Sequence, residues 1–272
     1  MKKNGNLAQA VFHSLRTQRR PPIVVPSVRK TEDCLVVASY NVHKCVGTDG
    51  RFDAGRVIDV ISQIGADVIA LQEADMRHGE RAGLLDLNRL RHETGLVPVA
   101  VPVRPTPKSH GWCGNVLLFR QGMARDVHQV SLPGLEPRGA LMADIELERG
   151  ATIRIIAAHL GLLRRSRRKQ AGILLDMLDT GNAQPTLLMG DFNEWRLGNG
   201  SALKQLERAL GPLPPALPSF PARLPVLSLD RIIGNREGLV DHIAVHDTPL
   251  ARLASDHLPL VARIDIEAGQ EA

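Results

Sequence analysis

The chain of 272 residues lacks any apolar run approaching the roughly 18 residues that a membrane-spanning helix requires, so we expect no transmembrane segment. It has only three cysteines, and no two of them form a Cys-x-x-Cys pair. This scarcity disfavours a disulfide framework and a cysteine-based zinc site, and it predicts a reducing, cytoplasmic location. Aromatic residues make up only 3% of the chain, which disfavours a protein that stacks the bases of single-stranded nucleic acid.

Positive charge, in contrast, is present in excess. Lys and Arg number 34 against 29 Asp and Glu, which gives a net charge of +5 and favours a partner that carries phosphate. Residues 1–33 are basic and contain prolines but no continuous apolar core, so they predict a loosely ordered extension rather than a secretory signal. This extension either contacts an anionic surface or is solvated. Residues 34–268 contain no internal linker and predict a single domain.

Short apolar runs follow one another along this domain and predict an α/β fold. The runs typical of strands are residues 35–40, 68–71, 116–119, 153–158, 186–189, 229–233, 240–245 and 258–266. Apolar residues at helical spacing predict helices at residues 57–64, 84–94, 171–178 and 203–210. Alternation over residues 141–147 predicts a half-buried strand, and the proline-rich residues 211–226 predict a loop.

Several of the predicted strands end in a polar side chain. Asn41, Glu73 and His159 follow three of them, and Asp191 with Asn193 follows a fourth. The order is reversed at Ser255-Asp256-His257, which precedes the last strand. Because strands of one core can bring their ends together at one edge, we expect these carboxylates, amides and imidazoles to share a pocket.

The composition of this pocket indicates phosphate chemistry. Carboxylate and amide oxygens suit Mg²⁺ or Mn²⁺. Histidine exchanges protons or contacts a charged phosphate near neutral pH. Hydrolysis of a phosphate ester uses this combination, because it needs a cation to absorb charge, a base to prepare water and an acid for the leaving oxygen. A zinc site is disfavoured by the absence of a His-Glu-x-x-His motif.

The ordered set of motifs resembles the endonuclease/exonuclease/phosphatase superfamily, which includes deoxyribonuclease-like nucleases, neutral sphingomyelinases and inositol polyphosphate phosphatases. The resemblance runs from about residue 35 to residue 266. Its motifs are Tyr40-Asn41, Leu71-Gln72-Glu73, His159-Leu160, Gly190-Asp191-Phe192-Asn193, Asp230 and Ser255-Asp256-His257. The resemblance implies a four-layered α/β sandwich, in which two mostly antiparallel sheets pack face to face with helices outside.

The resemblance also implies a role for each matching residue. Glu73 would bind Mg²⁺ or Mn²⁺ directly, and Asn41 and Asp256 would be ligands themselves or act through water.

The remaining motif residues would carry the reaction. Asp191 would orient and deprotonate the attacking water, and Asn193 would hold a phosphate oxygen. His257 would contact the scissile phosphate while Asp230 fixes its tautomer. His159 matches the leaving-group histidine of the deoxyribonuclease and sphingomyelinase branches.

Other candidates have two interpretations each. Asn115 either faces the pocket and binds phosphate or forms a structural turn, and Arg138 is a similar case. The basic run from Arg164 and Arg165 onward either contacts the substrate or is the solvated start of a helix. His43, close behind Asn41, is interpreted as a surface or loop histidine, like the remaining histidines.

The substrate is left open by these observations. The leading hypothesis is a metal-dependent hydrolase of a phosphodiester, acting on nucleic acid, on a phospholipid or on another small phosphodiester. A phosphomonoesterase is an alternative within the same superfamily. A different class of function is a non-catalytic protein that binds nucleic acid or an anionic membrane surface. Uncompensated carboxylates disfavour that last class because they would repel a phosphate unless a cation intervened.

Overall fold

The computed structural model describes residues 35–148, 150–178, 184–196 and 198–268. The predicted extension, residues 1–33, lies outside these ranges. Across the part of the chain that is described, no helix combines the length and the apolar character needed to cross a membrane.

A six-stranded sheet forms one half of the molecule. Its strands are β1 (Leu35–Asn41), β2 (Val68–Gln72), β3 (Val97–Pro98), β4 (Val116–Phe119), β10 (Val240–Val245) and β11 (Leu260–Ile264). Their order across the sheet is β10-β11-β1-β2-β4-β3. β1 and β2 run parallel, and the other neighbouring strands of this sheet are antiparallel.

A five-stranded sheet forms the other half. Its strands are β5 (Met123–Leu132), β6 (Arg138–Glu146), β7 (Thr152–His159), β8 (Thr186–Asp191) and β9 (Asp230–Gly234), in that order across the sheet. β7 and β8 are parallel, and the other pairs are antiparallel. The expectation of two mostly antiparallel sheets is therefore confirmed.

Helices connect the strands. They are α1 (Ala54–Ile64), α2 (Leu87–Thr94), α3 (Arg164–Leu178), α4 (Lys204–Leu210) and α5 (Pro249–Ala254). α1 ends at Gly65, whose positive φ of 65° closes the last turn, as the sequence predicts. α2 begins later than predicted because the Asp86 side chain accepts the backbone N–H groups of Asn88 and Arg89 and so caps the helix.

Alternation along the strands separates the two faces of each sheet. In β1, Leu35 and Val37 point into the core between the sheets, whereas Val36 and Ala38 point to the outer cluster that contains α1. α3 covers the outer face of the second sheet in the same way. The order of layers is therefore helix, sheet, sheet, helix, which confirms the expected four-layered sandwich.

β6 corrects one prediction. Alternation indicated a half-buried strand, but all residues of β6 except the last are buried. Leu141 and Ala143 face the core between the sheets, while Ala140 and Met142 pack in the cluster that contains α3. Small and apolar residues on both faces suit a strand covered on both sides.

Candidate functional site

Strand register brings the predicted site residues to one edge of the sandwich. In the second sheet, His159 pairs with Asp191 across β7 and β8, and Asp191 pairs with Asp230 across β8 and β9. Residues directly opposite one another on neighbouring strands project their side chains on the same face. Asn41, the last residue of β1 in the first sheet, meets this line by donating its Nδ2 hydrogen to Asp191 Oδ2 at 2.9 Å.

Gly190 permits the close approach of β7 and β8 just before this edge. Its φ is 147°, and a Cβ atom placed on it would lie 1.8 Å from the carbonyl oxygen of Ala158. No other residue fits there without moving the strand. The glycine before Asp191 therefore helps to set the spacing between Asp191 and His159.

Asp191 lies at the centre of the site and is almost fully buried. Its Oδ1 accepts the backbone N–H of Asn193, and its Oδ2 lies 3.3 Å from His159 Nε2 and 3.8 Å from His257 Nε2. Burial raises the pKa of Asp191 to about 6; the positive charge of His257 opposes this shift, and the neighbouring Asp230 carboxylate adds to it. A carboxylate with this pKa is ionised at neutral pH and is still basic enough to accept a proton.

His257 is held in its charged form by carboxylates. Its Nδ1 lies 2.9 Å from Asp230 Oδ2, which also accepts the Ser219 hydroxyl hydrogen, and its ring lies 4.8 Å from the Phe220 ring. Burial by itself lowers the pKa of His257, but the charges of Asp230 and Asp191 outweigh burial and raise the pKa to about 10. His257 is therefore a buried imidazolium at neutral pH.

His159 is the opposite case. Its Nδ1 lies 2.7 Å from Arg138 Nη1, and because a guanidinium can only donate, this nitrogen of His159 must be an acceptor. Burial and the positive charge of Arg138 lower the pKa of His159 well below its usual range. The ring is therefore neutral and carries its hydrogen on Nε2, which faces Asp191 Oδ2. Asn193 approaches the same nitrogen at 3.2 Å while its Nδ2 donates to the carbonyl of Leu160.

Glu73 is surrounded by positive charge. Its Oε2 lies 2.8 Å from Lys44 Nζ, and its Oε1 accepts a hydrogen bond from Arg77 at 2.6 Å and lies 3.9 Å from Arg138. Burial opposes ionisation, but the contact with Lys44 and the charges of all three cations together lower the pKa of Glu73. The backbone of Glu73 has a positive φ of 54°, an uncommon conformation that turns the chain directly after β2.

These contacts form a continuous line of ionisable groups, which we call the buried row. Its members, in order of contact, are Glu73, Arg138, His159, Asp191, His257 and Asp230. Asn41 joins the row at Asp191. Asp256 lies beside it and is about one-third exposed; its Oδ1 is 3.5 Å from the Ser255 hydroxyl and 3.7 Å from His43 Nδ1. His43 is partly exposed, in keeping with its interpretation as a surface or loop histidine.

Within the described part of the chain, two groups of side chains are considered as ligands for a cation. Asp191, Asp230 and His257 offer ligand atoms within 4.8 Å of one another, but Asp230 and His257 already satisfy each other through a hydrogen bond. The predicted set of Glu73, Asn41 and Asp256 consists of oxygen donors, which suit Mg²⁺ or Mn²⁺. The Glu73 carboxylate is ionised and already contacts cations, so its chemistry suits such an ion.

The other predicted substrate contacts are not members of the buried row. Asn115 is fully buried; its Nδ2 donates to the carbonyls of Trp112 and Gly139 and so ties β4 to the start of β6. Arg164 and Arg165 are exposed at the start of α3, and Arg164 donates to the carbonyl of Gly200.

Sequence reasoning missed three cations around Glu73 or left them undecided. The sequence gives Lys44 and Arg77 no distinguishing motif, and it allows Arg138 either a phosphate contact or a turn. Lys44 follows Asn41 closely and Arg77 follows Glu73 closely, so proximity to a motif residue was the available signal.

The chain is also similar to known proteins. Residues 38–257 match the model of the endonuclease/exonuclease/phosphatase family. The uncharacterised protein YbhP of Escherichia coli (strain K12) is 29% identical over 250 residues, which cover 85% of this chain and 96% of YbhP.

Solved structures show the same fold. A structure of an endonuclease/exonuclease/phosphatase from Beutenbergia cavernae has a TM-score of 0.64 at 21% identity, covering 86% of this chain and 72% of that one. The human Nocturnin catalytic domain, solved with a bound sulfate anion, has a TM-score of 0.60 at 20% identity, covering 86% of this chain and 94% of that one. The family match spans most of the chain, and this chain therefore belongs to the endonuclease/exonuclease/phosphatase family.

Proposed function

We propose that the protein hydrolyses a phosphodiester by in-line attack of water and that it depends on a divalent cation. One observation carries this proposal: Asp191, with a pKa of about 6, lies between an imidazolium and a neutral imidazole in the buried row. The arrangement places a proton acceptor, a positive charge and a hydrogen-bond donor around one position. In-line hydrolysis of a phosphate ester needs these three functions.

Glu73, Asn41 and Asp256 would hold Mg²⁺ or Mn²⁺. When bound, such an ion stabilises negative charge that develops on the phosphate oxygens. Lys44 and Arg77, which now contact Glu73, are each about one-third exposed and can turn toward solvent when a cation binds. The carboxylates of the row would repel a phosphate without this compensation, which supports an enzyme over a non-catalytic binding protein.

The chain's own residues then divide the reaction. Asp191 accepts a proton from water as the water oxygen bonds to phosphorus, and the ester P–O bond breaks on the opposite side. His257, charged through its contact with Asp230, binds a phosphate oxygen, and Asn193 contacts another. The neutral His159 donates a hydrogen bond from its Nε2–H to the leaving oxygen and stabilises the negative charge that develops there. An anionic phosphate beside this ring raises its pKa and so favours the imidazolium, the form from which the leaving oxygen takes a proton as the ring returns to neutral.

We assign this activity to one catalytic domain, residues 34–268, in a cytoplasmic protein. The free thiols of Cys45 and Cys113 support a reducing compartment. The net charge of +5 supports a polyanionic or lipid phosphodiester, and the contacts in the buried row suit any of these diesters.

The experiment that tests the proposal is a substrate screen with purified protein. Plasmid DNA, RNA, glycerophosphodiesters, phospholipid vesicles, bis(4-nitrophenyl) phosphate and phosphomonoesters are each incubated with Mg²⁺ or Mn²⁺ and, in parallel, with EDTA. We expect diester cleavage that EDTA abolishes and that Glu73→Gln reduces by about 10²-fold or more, because the substitution removes the charged ligand.

Glu148→Gln, at an exposed glutamate, is the matched control and should retain full activity. Turnover in EDTA, or a Glu73→Gln protein with full activity, would contradict the proposed role of the cation. Cleavage confined to phosphomonoesters would show that the protein is a phosphatase and not a phosphodiesterase.

A further inference from the structure

An exposed apolar cluster lies next to the buried row. Leu135 is 84% exposed, Leu162 63%, Leu163 49% and Trp195 50%. Single exposed apolar residues are normal on a protein surface and need no explanation. Four large ones on three loops that contact one another form a patch, and such patches mark sites of interaction with a partner or a membrane.

Polar contacts hold these three loops together. Glu136, next to Leu135, accepts the backbone N–H of Leu162. The buried Arg167 donates to the carbonyls of Gly161 and Leu162 and lies 3.4 Å from the fully buried Glu194, the residue before Trp195. The loops that carry the apolar side chains are therefore held in place by hydrogen bonds.

The cluster lies at the edge of the site. Leu162 and Leu163 follow His159 at the end of β7, and Trp195 lies two residues after Asn193 at the end of β8. Asn193 also contacts both His159 and the carbonyl of Leu160, which joins the two segments. A surface that docked through the cluster would lie beside His159 and Asp191 of the buried row.

Positive charge surrounds the cluster. The exposed cations are Arg164, Arg165, Arg168 and Lys169 at the start of α3, and Arg196 beside Trp195, where it lies 4.7 Å from the ring centre. Arg164 and Arg168 also line a groove of about 420 Å³ with Lys204 and Arg208. No carboxylate is among the described residues that line this groove.

The placement of these charges has an electrostatic cost in the protein alone. Cations at the N-terminus of a helix face the positive end of its dipole, which is unfavourable. Two acidic side chains offset part of this cost: Glu136 accepts the Leu162 N–H, and Glu194 contacts Arg167 and lies 3.9 Å from Arg196. An anionic partner at the start of α3 would remove this cost.

We propose that this surface docks the protein on an anionic lipid bilayer. We call it the docking patch: Leu135, Leu162, Leu163, Trp195, Arg164, Arg165, Arg168, Lys169 and Arg196. Leucine side chains enter the boundary between headgroups and acyl chains, tryptophan favours the same depth, and arginine and lysine contact the anionic headgroups. A nucleic acid would use the cations, but leucines give its bases and phosphates no polar or stacking contact.

Docking does not depend on the proposed reaction. It is tested by binding alone in the Asp191→Asn protein, which leaves the vesicles intact if the proposed function is right. Failure of hydrolysis and failure of docking are therefore separate results.

The test is sedimentation with vesicles of phosphatidylcholine alone and of phosphatidylcholine with phosphatidylglycerol. We expect binding only to the anionic vesicles. We expect at least a 10-fold weaker affinity for Leu162→Ser/Leu163→Ser and for Arg168→Glu/Lys169→Glu. The matched controls are Val103→Ser, which is 63% exposed like Leu162, and Arg91→Glu on α2; both should bind like the parent protein.

Fluorescence locates the contact. In a Trp112→Phe background, Trp195 is the only tryptophan of the chain, and we expect its emission to shift to the blue and to be quenched by brominated lipid. The proposal is overturned by equal binding to neutral vesicles, by full binding of both double variants, or by an unchanged Trp195 spectrum in the bound protein. Absence of vesicle binding, with tight duplex DNA binding that the same variants weaken, would assign the patch to nucleic acid instead.

Discussion

The buried row and the docking patch are neighbours at one edge of the sandwich, and both are rich in ionisable side chains. In the row, each group contacts the next at between 2.7 and 3.9 Å and is shielded from water. In the patch, the cations face solvent and are interspersed with exposed apolar side chains. Similar residue types are therefore used in two different ways.

The difference between them is burial. In the row, water is excluded, so each charge is balanced only by its immediate neighbours. As a result, His257 is an imidazolium and His159 is a neutral ring, although Asp191 alone separates them in the row. In the patch, water and salt weaken each contact, so the cations act through their summed field. We expect single substitutions to have large effects in the row and small effects in the patch.

The largest effect should come from Asp191→Asn. This substitution keeps the size of the side chain but removes the proton acceptor, so we expect kcat for a soluble diester to fall by about 10³-fold. Asp176→Asn, at an exposed aspartate on α3, is the matched control and should keep full activity. Circular dichroism and the melting temperature of both variants separate loss of chemistry from loss of folding. An Asp191→Asn protein that folds and retains more than a tenth of the activity would exclude Asp191 as the base.

The pH profile should come next in size. As pH falls through about 6, Asp191 gains a proton and can no longer accept one, so kcat/KM should fall. As pH rises through about 10, His257 loses its proton and its charge, so kcat/KM should fall again. Asp230→Asn removes a carboxylate that raises the pKa of His257 and should move the alkaline limb to lower pH. If the alkaline limb did not move in this variant, the group whose titration causes that limb would not be His257.

The smallest effect should be that of salt, which compares the two regions directly. Raising NaCl from about 0.05 to 0.5 M shortens the screening length from about 14 to 4 Å and should weaken vesicle binding by about 10-fold. Hydrolysis of bis(4-nitrophenyl) phosphate should change by less than about 2-fold, because the contacts of the row are shielded from the salt solution. If vesicle binding and hydrolysis depended equally on salt, the charges of the patch and of the row would be screened equally, which would contradict the difference in burial between the two regions.

Much of the fold could be predicted from the sequence. Apolar runs marked most strands because β-branched and aliphatic residues suit a sheet that is covered on both faces. β5 was missed because its exposed and partly exposed polar residues carry no continuous apolar run. The sequence does not predict that both faces of β6 are buried. Along this strand, large apolar residues alternate partly with small apolar residues and partly with polar ones, and this pattern resembles that of a half-buried strand.

The site could be predicted as a set of residues but not as a set of contacts. Asn41, His159 and Asp191 were placed at strand ends, which the structure confirms. The contact of Arg138 with His159, and of Lys44 with Glu73, depends on how the two sheets and their loops pack. The protonation states of His159 and His257 depend on contacts of this kind, so the sequence alone does not predict them.

The sequence by itself determined the elements, their order and the chemical groups at their ends, because these depend on local pattern and composition. Only the tertiary structure decided which charges meet. Pairing across β7, β8 and β9 joined His159, Asp191 and Asp230, which lie far apart along the chain. The same packing left Leu162 and Trp195 exposed among arginines. Interactions between charges depend on distance and burial in space, and neither is a property of a sequence position.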